Sequence, residues 1–192
     1  MSTDHVKRAL EESAKLKLLV ADTIADRISE VAQKLAQTMR SGGKAIFCGN
    51  GGSAADSQHL ATELVVRLSS KSDRPALPAI ALTTDTSILT ACANDFGFDQ
   101  IFSRQLEAIG KKGDMLFAIS TSGNSANVVC AVEQARRTGI ITVGLLGCGG
   151  GKLASLVDYT LLIPSDDTQR IQECHIAIGH IIIELAEAGF TR

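Results

Sequence analysis

A chain of 192 residues is long enough to bury a core without disulfide or metal staples, and its 45% hydrophobic and 21% charged content is ordinary for a soluble globular protein. A net charge of -2 gives no electrostatic basis for nucleic acid or an anionic membrane as a general partner. Five scattered cysteines without a CxxC pair suit reduced, mostly buried thiols. No apolar run approaches the roughly 20 residues that span a bilayer, and the polar start at residues 1–5 does not read as a signal peptide. The expectation is a cytoplasmic protein with no membrane segment.

Residues 4–41 are rich in Ala, Leu, Lys, Glu and Gln and lack Pro and Gly, which predicts helix throughout. Asp22 to Asp26 is expected to divide it into two helices, with Asp26 capping the second. Gly42-Gly43 ends the helical stretch. Five apolar, β-branched runs follow, at 44–48, 79–83, 114–120, 140–146 and 158–163. Helical patterns fall at 53–69, 86–93, 99–110, 125–138, 150–156 and 168–188. Alternation of this kind predicts an α/β fold, a three-layer α-β-α sandwich on a five-stranded parallel sheet, with an N-terminal helical extension. Without repeats, low-complexity stretches or a linker, residues 1–192 read as one domain, with its α/β core in 42–192.

Ligands of such sheets sit beyond the carboxyl ends of the strands. Ser120-Thr121-Ser122-Gly123-Asn124-Ser125 joins a predicted buried strand to a predicted helix. The unpaired N–H groups and positive dipole end of that helix, with four hydroxyls in the loop, point to a phosphate. A capped helix behind an ordinary loop is the plainer alternative, since Ser and Asn are preferred N-caps. Gly49-Asn50-Gly51-Gly52-Ser53 forms a second such loop, and Thr83-Thr84-Asp85 a third. Neither matches the dinucleotide-binding GxGxxG register. Gly147 to Lys152 reads as a flexible connection.

A phosphate site binds without reacting, so reactive groups are sought on the helices. His59 and Glu63 lie four apart on one helical face, able to hold a metal or to pair an acid with a base, or else to form a solvated hydrogen-bonded pair. The last helix sets Arg170, Gln172, Glu173, His175 and His180 among seven Ile and Leu residues, so it is expected to be buried against another subunit. Its histidines are either structural or part of a site. Gln172 and His180 stand about 12 Å apart along a straight helix. Serving one small ligand together requires a large site or contributions from different chains.

Cys48 to Ser53, the His59…Glu63…Arg67 helix, Asn94-Asp95-Phe96-Gly97-Phe98, Ser120 to Ser125, and Arg170-Ile171-Gln172-Glu173 with His175 and His180 occur in an order and spacing that closely resemble the sedoheptulose-7-phosphate (phosphoheptose) isomerases of the sugar-isomerase (SIS) superfamily. The similarity extends over nearly the whole chain. It implies a flavodoxin-like SIS fold and an aldose–ketose isomerase that converts sedoheptulose 7-phosphate into D-glycero-D-manno-heptose 7-phosphate. That reaction opens the supply of activated heptose for lipopolysaccharide core, S-layer or capsule. It further implies a homotetramer with active sites between subunits, residues 1–41 serving oligomer packing, and one zinc per subunit held by His59, Glu63, Gln172 and His180. Phosphate would fall to Ser53, Ser120, Thr121, Ser122 and Ser125, and the sugar to Asn50, Gly51, Gly52, Asn94, Asp95 and Gln172. Glu63 would act as base and His180 as its acid/base partner. The alternatives are another sugar-phosphate isomerase, or a non-catalytic SIS tetramer that binds the replication initiator protein. The latter would have lost the set Glu63, Gln172, His175 and His180, all of which stand here.

Overall fold

The computed structural model describes residues 3–70 and 73–190. Helix α1 (Thr3–Arg40) is continuous, without the division expected at Asp22–Asp26. Val20, Ile24, Ile28, Val31, Ala32 and Leu35 form one inward stripe through that point. Asp22 and Asp26 lie on the exposed side, where neither competes for the backbone. At about 1.5 Å per residue α1 runs for roughly 57 Å.

Alternation then proceeds as β1 (Ala45–Gly49), α2 (Gly52–Val65), β2 (Ala79–Ala81), α3 (Thr86–Phe96), α4 (Ser103–Ile109), β3 (Met115–Ser120), α5 (Ala126–Thr138), β4 (Ile141–Leu146), β5 (Tyr159–Leu162) and α6 (Thr168–Glu187). All strands pair in parallel, in the order β2-β1-β3-β4-β5. The helices segregate into two layers. Phe47, Met115, Phe117, Ile119, Val143 and Leu145 face a core shared with α1, α2 and α6, and Phe47 stacks on Phe117 with ring centroids 4.9 Å apart. Ile46, Cys48, Leu116 and Ala118, the alternate positions of the same strands, face α3, α4 and α5. This is the three-layer sandwich that the alternation predicts.

Several boundaries differ from expectation for physical reasons. α2 stops at Val65 instead of continuing to 69 because a buried arginine takes its last carbonyls. Arg74 donates through Nη1 to Leu64 O (2.9 Å) and through Nη2 to Glu63 O (2.7 Å), while its Nε pairs with Glu187 Oε2 at 2.7 Å. The helix expected over 99–110 is a 3-10 turn at Phe98–Gln100 followed by α4, and 150–156 holds only short 3-10 turns. The apolar face of α6, expected to lie against another subunit, is covered largely by α1 of the same chain.

Candidate active site at the carboxyl ends of β1 and β3

In the order β2-β1-β3-β4-β5 the strands β1 and β3 are neighbours whose following helices leave toward opposite faces, α2 to one and α5 to the other. Such a switch point opens a crevice at the strand ends. The loop after β1 reaches α2 through Asn50 and Gly51, whose φ of 56° suits glycine, and α2 starts without a side-chain cap. Gly52 leaves room for the Gln172 amide, which a Cβ there would push aside. Ser53 is buried, its N–H donating to Asn50 O (3.0 Å) and its carbonyl accepting from the Ser57 hydroxyl (2.8 Å).

After β3, Ser120 Oγ accepts the Gly123 N–H (3.1 Å) and lies 3.1 Å from Ser125 Oγ and 3.5 Å from Ser122 Oγ. Thr121 follows Ser120, half-buried. Ser125 occupies the N-cap position of α5, yet its side chain makes no cap hydrogen bond. The plainer alternative of an ordinary capped helix is therefore not what the loop forms. By contrast, Asp85 caps α3 through Ile88 N (2.9 Å), and Asp167 caps α6 through Gln169 N (2.9 Å). In Thr83-Thr84-Asp85, the third expected ligand loop, Asp85 makes that cap, Thr84 donates to Ala81 O and Thr83 to Ala54 O.

Gly147 to Lys152 is a buttress where a flexible connection was expected. A Cβ on Gly123 would collide with the Gly150 carbonyl, Leu153 N–H donates to Gly123 O (3.0 Å), and Lys152 N–H donates to Asn124 Oδ1 (3.0 Å). The serine loop is thus backed by a second backbone layer. A further tie was not anticipated from the sequence: the Asn50 and Asn127 carboxamides exchange two hydrogen bonds, each 2.8 Å, joining the β1 loop to the first turn of α5. The only sequence signal for it is a polar residue beside Val128 on an otherwise apolar helix face.

α2 and α6 run side by side from these loops. Gly179 lets them approach, since a Cβ there would collide with Leu60. One residue further on, His180 Nε2 comes within 2.9 Å of His59 Nε2, and Glu63 Oε1 lies 3.3 Å from the same His59 nitrogen. Ligand atoms of His59, Glu63 and His180 all fall within 4.8 Å of one another, and two imidazole nitrogens with a carboxylate oxygen form a donor set for a metal ion. These three come from one chain. Gln172 packs against Gly52, roughly two helical turns from His59 along α2. Asn94 and Asp95 stand exposed at the end of α3, hydrogen-bonded to each other at 2.8 Å. Beyond them, Phe98 joins Asn50, Gly51 and Thr83 around a cavity of about 150 Å³.

Burial and neighbouring groups separate the remaining polar residues. His175 is wholly buried, which pushes its imidazole down to about 4 against the opposing pull of the Leu146 backbone, so it is a neutral core residue. Burial pushes the Asp56 carboxyl up to about 6, with His59 drawing it back down. Asp56 stands one turn before His59 on α2 and was not singled out in the sequence. Glu173 is held below the usual carboxylate range by the Ser13 hydroxyl first, with Arg170 and Lys17 adding to it, which ties α6 to α1.

The SIS domain family profile matches residues 10–147. A phosphoheptose isomerase from Chlorobaculum parvum is 55% identical over 177 residues, 92% of this chain and 85% of that protein. Another from Aneurinibacillus thermoaerophilus is 50% identical over 191 residues, covering 98% and 96%. The chain belongs to the phosphoheptose isomerases of the SIS domain family. Solved phosphoheptose isomerases agree in fold. The one from Neisseria gonorrhoeae superimposes with a TM-score of 0.90 at 40% identity, covering 96% of this chain and 98% of that one. The one from Francisella tularensis gives 0.93 at 35% identity, covering 98% and 100%. Among the described residues no helix is long and apolar enough to cross a membrane.

Proposed function

We propose that this protein is an aldose–ketose isomerase that converts D-sedoheptulose 7-phosphate into D-glycero-D-manno-heptose 7-phosphate through an enediol, the first step toward activated heptose for lipopolysaccharide core, S-layer or capsule. The observation that carries the reading is the placement of two unlike sites along α2: an uncapped, hydroxyl-lined crevice at its start, and His59, Glu63 and His180 two turns further on. Family membership at 50–55% identity supports the substrate.

In this reading the phosphate sits at the start of α5 with Ser120, Thr121, Ser122 and Ser125, and with Ser53 from α2. Asn50, Gly51, Gly52, Asn94, Asp95 and Gln172 contact the sugar hydroxyls. Glu63 takes a proton from C1 of the ketose while His180 supplies one to the C2 oxygen. The enediol regains a proton at C2 as the C1 hydroxyl gives up its own, which leaves the aldehyde.

Zinc, one per subunit, would be held by His59, Glu63, Gln172 and His180; the three convergent ligand atoms of His59, Glu63 and His180 support this, while Gln172 stands roughly two turns away against Gly52 and would reach the ion from a neighbouring subunit. Bound there, it would polarise the substrate's oxygens. Glu63 has two carboxylate oxygens, so one can bind while the other keeps lone pairs for a proton. A cytoplasmic homotetramer of single-domain subunits, packed through residues 1–41 with active sites between subunits, completes the proposal. Supporting it, Leu18 on α1 is 67% exposed and Leu185 on α6 50%, beside an apolar groove of about 380 Å³ between the two helices.

The test is turnover of sedoheptulose 7-phosphate alongside pentose and hexose phosphates. Wild-type protein should convert the heptulose phosphate preferentially, and Glu63→Gln should lower kcat by about 10² to 10⁴ without unfolding the protein. No conversion by wild type would overturn the reading.

A further inference from the structure

The reciprocal amide pair between Asn50 and Asn127 has a role that the assignments above leave open. Asn50 follows directly on the last residue of β1 and is half-buried at the mouth of the crevice. Asn127 is the second residue of α5 and is 2% exposed. Each side chain donates through Nδ2 to the other's Oδ1 at 2.8 Å. The cyclic arrangement uses one N–H and one carbonyl lone pair of each amide, so Asn50 retains one N–H and one lone pair for a ligand.

The backbone alone would place Asn50 loosely. It is followed by two glycines, Gly51 and Gly52, whose residue type restricts the backbone least, and α2 begins there without a side-chain cap. Asn127, by contrast, belongs to the regular first turn of α5, behind a serine loop buttressed by Gly150 and Leu153. Two part-buried hydrogen bonds from the first turn of α5 therefore fix the plane and position of the amide on the glycine loop. They also set the separation between the groups that hold phosphate and those that hold the sugar, which is a length measurement on the substrate.

We propose that Asn127 is a positioning residue of the isomerase, acting through Asn50 to register the sugar-binding loop after β1 against the phosphate-binding start of α5. The inference rests on the function proposed above. Asn127 touches neither the reacting carbons nor Glu63 and His180, and its influence passes through one partner.

A double-mutant cycle tests that dependence. Asn127→Ala should lower kcat/KM for sedoheptulose 7-phosphate by about tenfold, the effect of losing one to two neutral hydrogen bonds. Inhibition by inorganic phosphate should change by less than about twofold, because the serine loop is untouched. In an Asn50→Ala background the same Asn127→Ala change should alter kcat/KM by less than about twofold, since the partner is already gone. A structural role for Asn127 would instead give additive losses and would weaken phosphate inhibition in parallel, which overturns the proposal while wild-type activity stands. An inactive wild type overturns the functional reading, and this inference with it. Where Asn127→Ala fails to fold, Asn127→Ser carries the same cycle with a smaller polar group.

Discussion

Four helices start at strand ends on the ligand side of the sheet, and they start in two ways. α3 and α6 open with an aspartate whose carboxylate accepts backbone N–H groups of the first turn. α2 opens at Gly51, and α5 at a serine whose hydroxyl turns toward Ser120 instead of the helix. An aspartate supplies its own anion to a helix start, satisfying the donors and the dipole together. Leaving that position to glycine or to an averted serine keeps the donors for a charge that arrives from outside. Under the proposed function, stability is served at two helix starts and binding at the other two, and the division follows the strand order, since the uncapped pair flanks the β1–β3 switch point.

The comparison can be broken most sharply by exchanging the two designs. Ser125→Asp should give α5 its own carboxylate, lowering kcat/KM for the sugar phosphate by about a hundredfold or more through repulsion and occupied donors, with Tm unchanged or raised. Retained affinity in that variant would mean that the start of α5 does not receive the phosphate. A smaller effect is expected from Ser120→Ala combined with Thr121→Ala. Removing hydrogen bonds to a charged group should raise KM about tenfold to a hundredfold, and an unchanged KM would place the phosphate elsewhere. The smallest effect belongs to the other design: Asp85→Ala should cost about 1 kcal/mol of stability, read as a shift in the urea midpoint, and leave KM alone. A KM that moved with Asp85 would show that the capped starts also serve the ligand.

Strand and helix order was legible because the strands are short runs rich in Ile, Val and Leu, and their parallel pairing follows from the intervening helices. Boundaries were less so, because they depend on residues distant in sequence. Arg74 ends α2, ten residues before it, by taking the carbonyl of Leu64, a contact that no local pattern announces. Asp26 looked like a cap, and only the unbroken stripe from Val20 to Leu35 shows why the helix passes through it. The serine loop and the His59–Glu63 pair were visible as motifs, while the glycines of 147–151 looked loose because glycine signals either freedom or close approach. Gly150 has a φ of 87° and no room for a Cβ beside Ala154, and its carbonyl lies where a Cβ on Gly123 would be. His175 and His180 were indistinguishable by spacing; burial made one a core residue and proximity to His59 made the other part of the site. Asp56 and Asn127 carried no pattern of their own, since their importance comes from what the fold sets beside them.

The layer that holds α2 in place is built from helices that stand before and after the strands in chain order: α1 leaves the ribosome before the strands and α6 after them, and they lie together over the sheet. At elongation rates of roughly 5–20 residues per second, α1 must wait on the order of ten seconds for its partner with its apolar stripe uncovered. The opposite layer, completed by α5, can close much earlier. Synthesis should therefore pass through a half-covered sheet, and a nascent chain arrested before Thr168 should bind a holdase chaperone through α1. His180 reaches His59 only when α6 closes over the sheet, so the cluster of His59, Glu63 and His180 assembles after the sheet does.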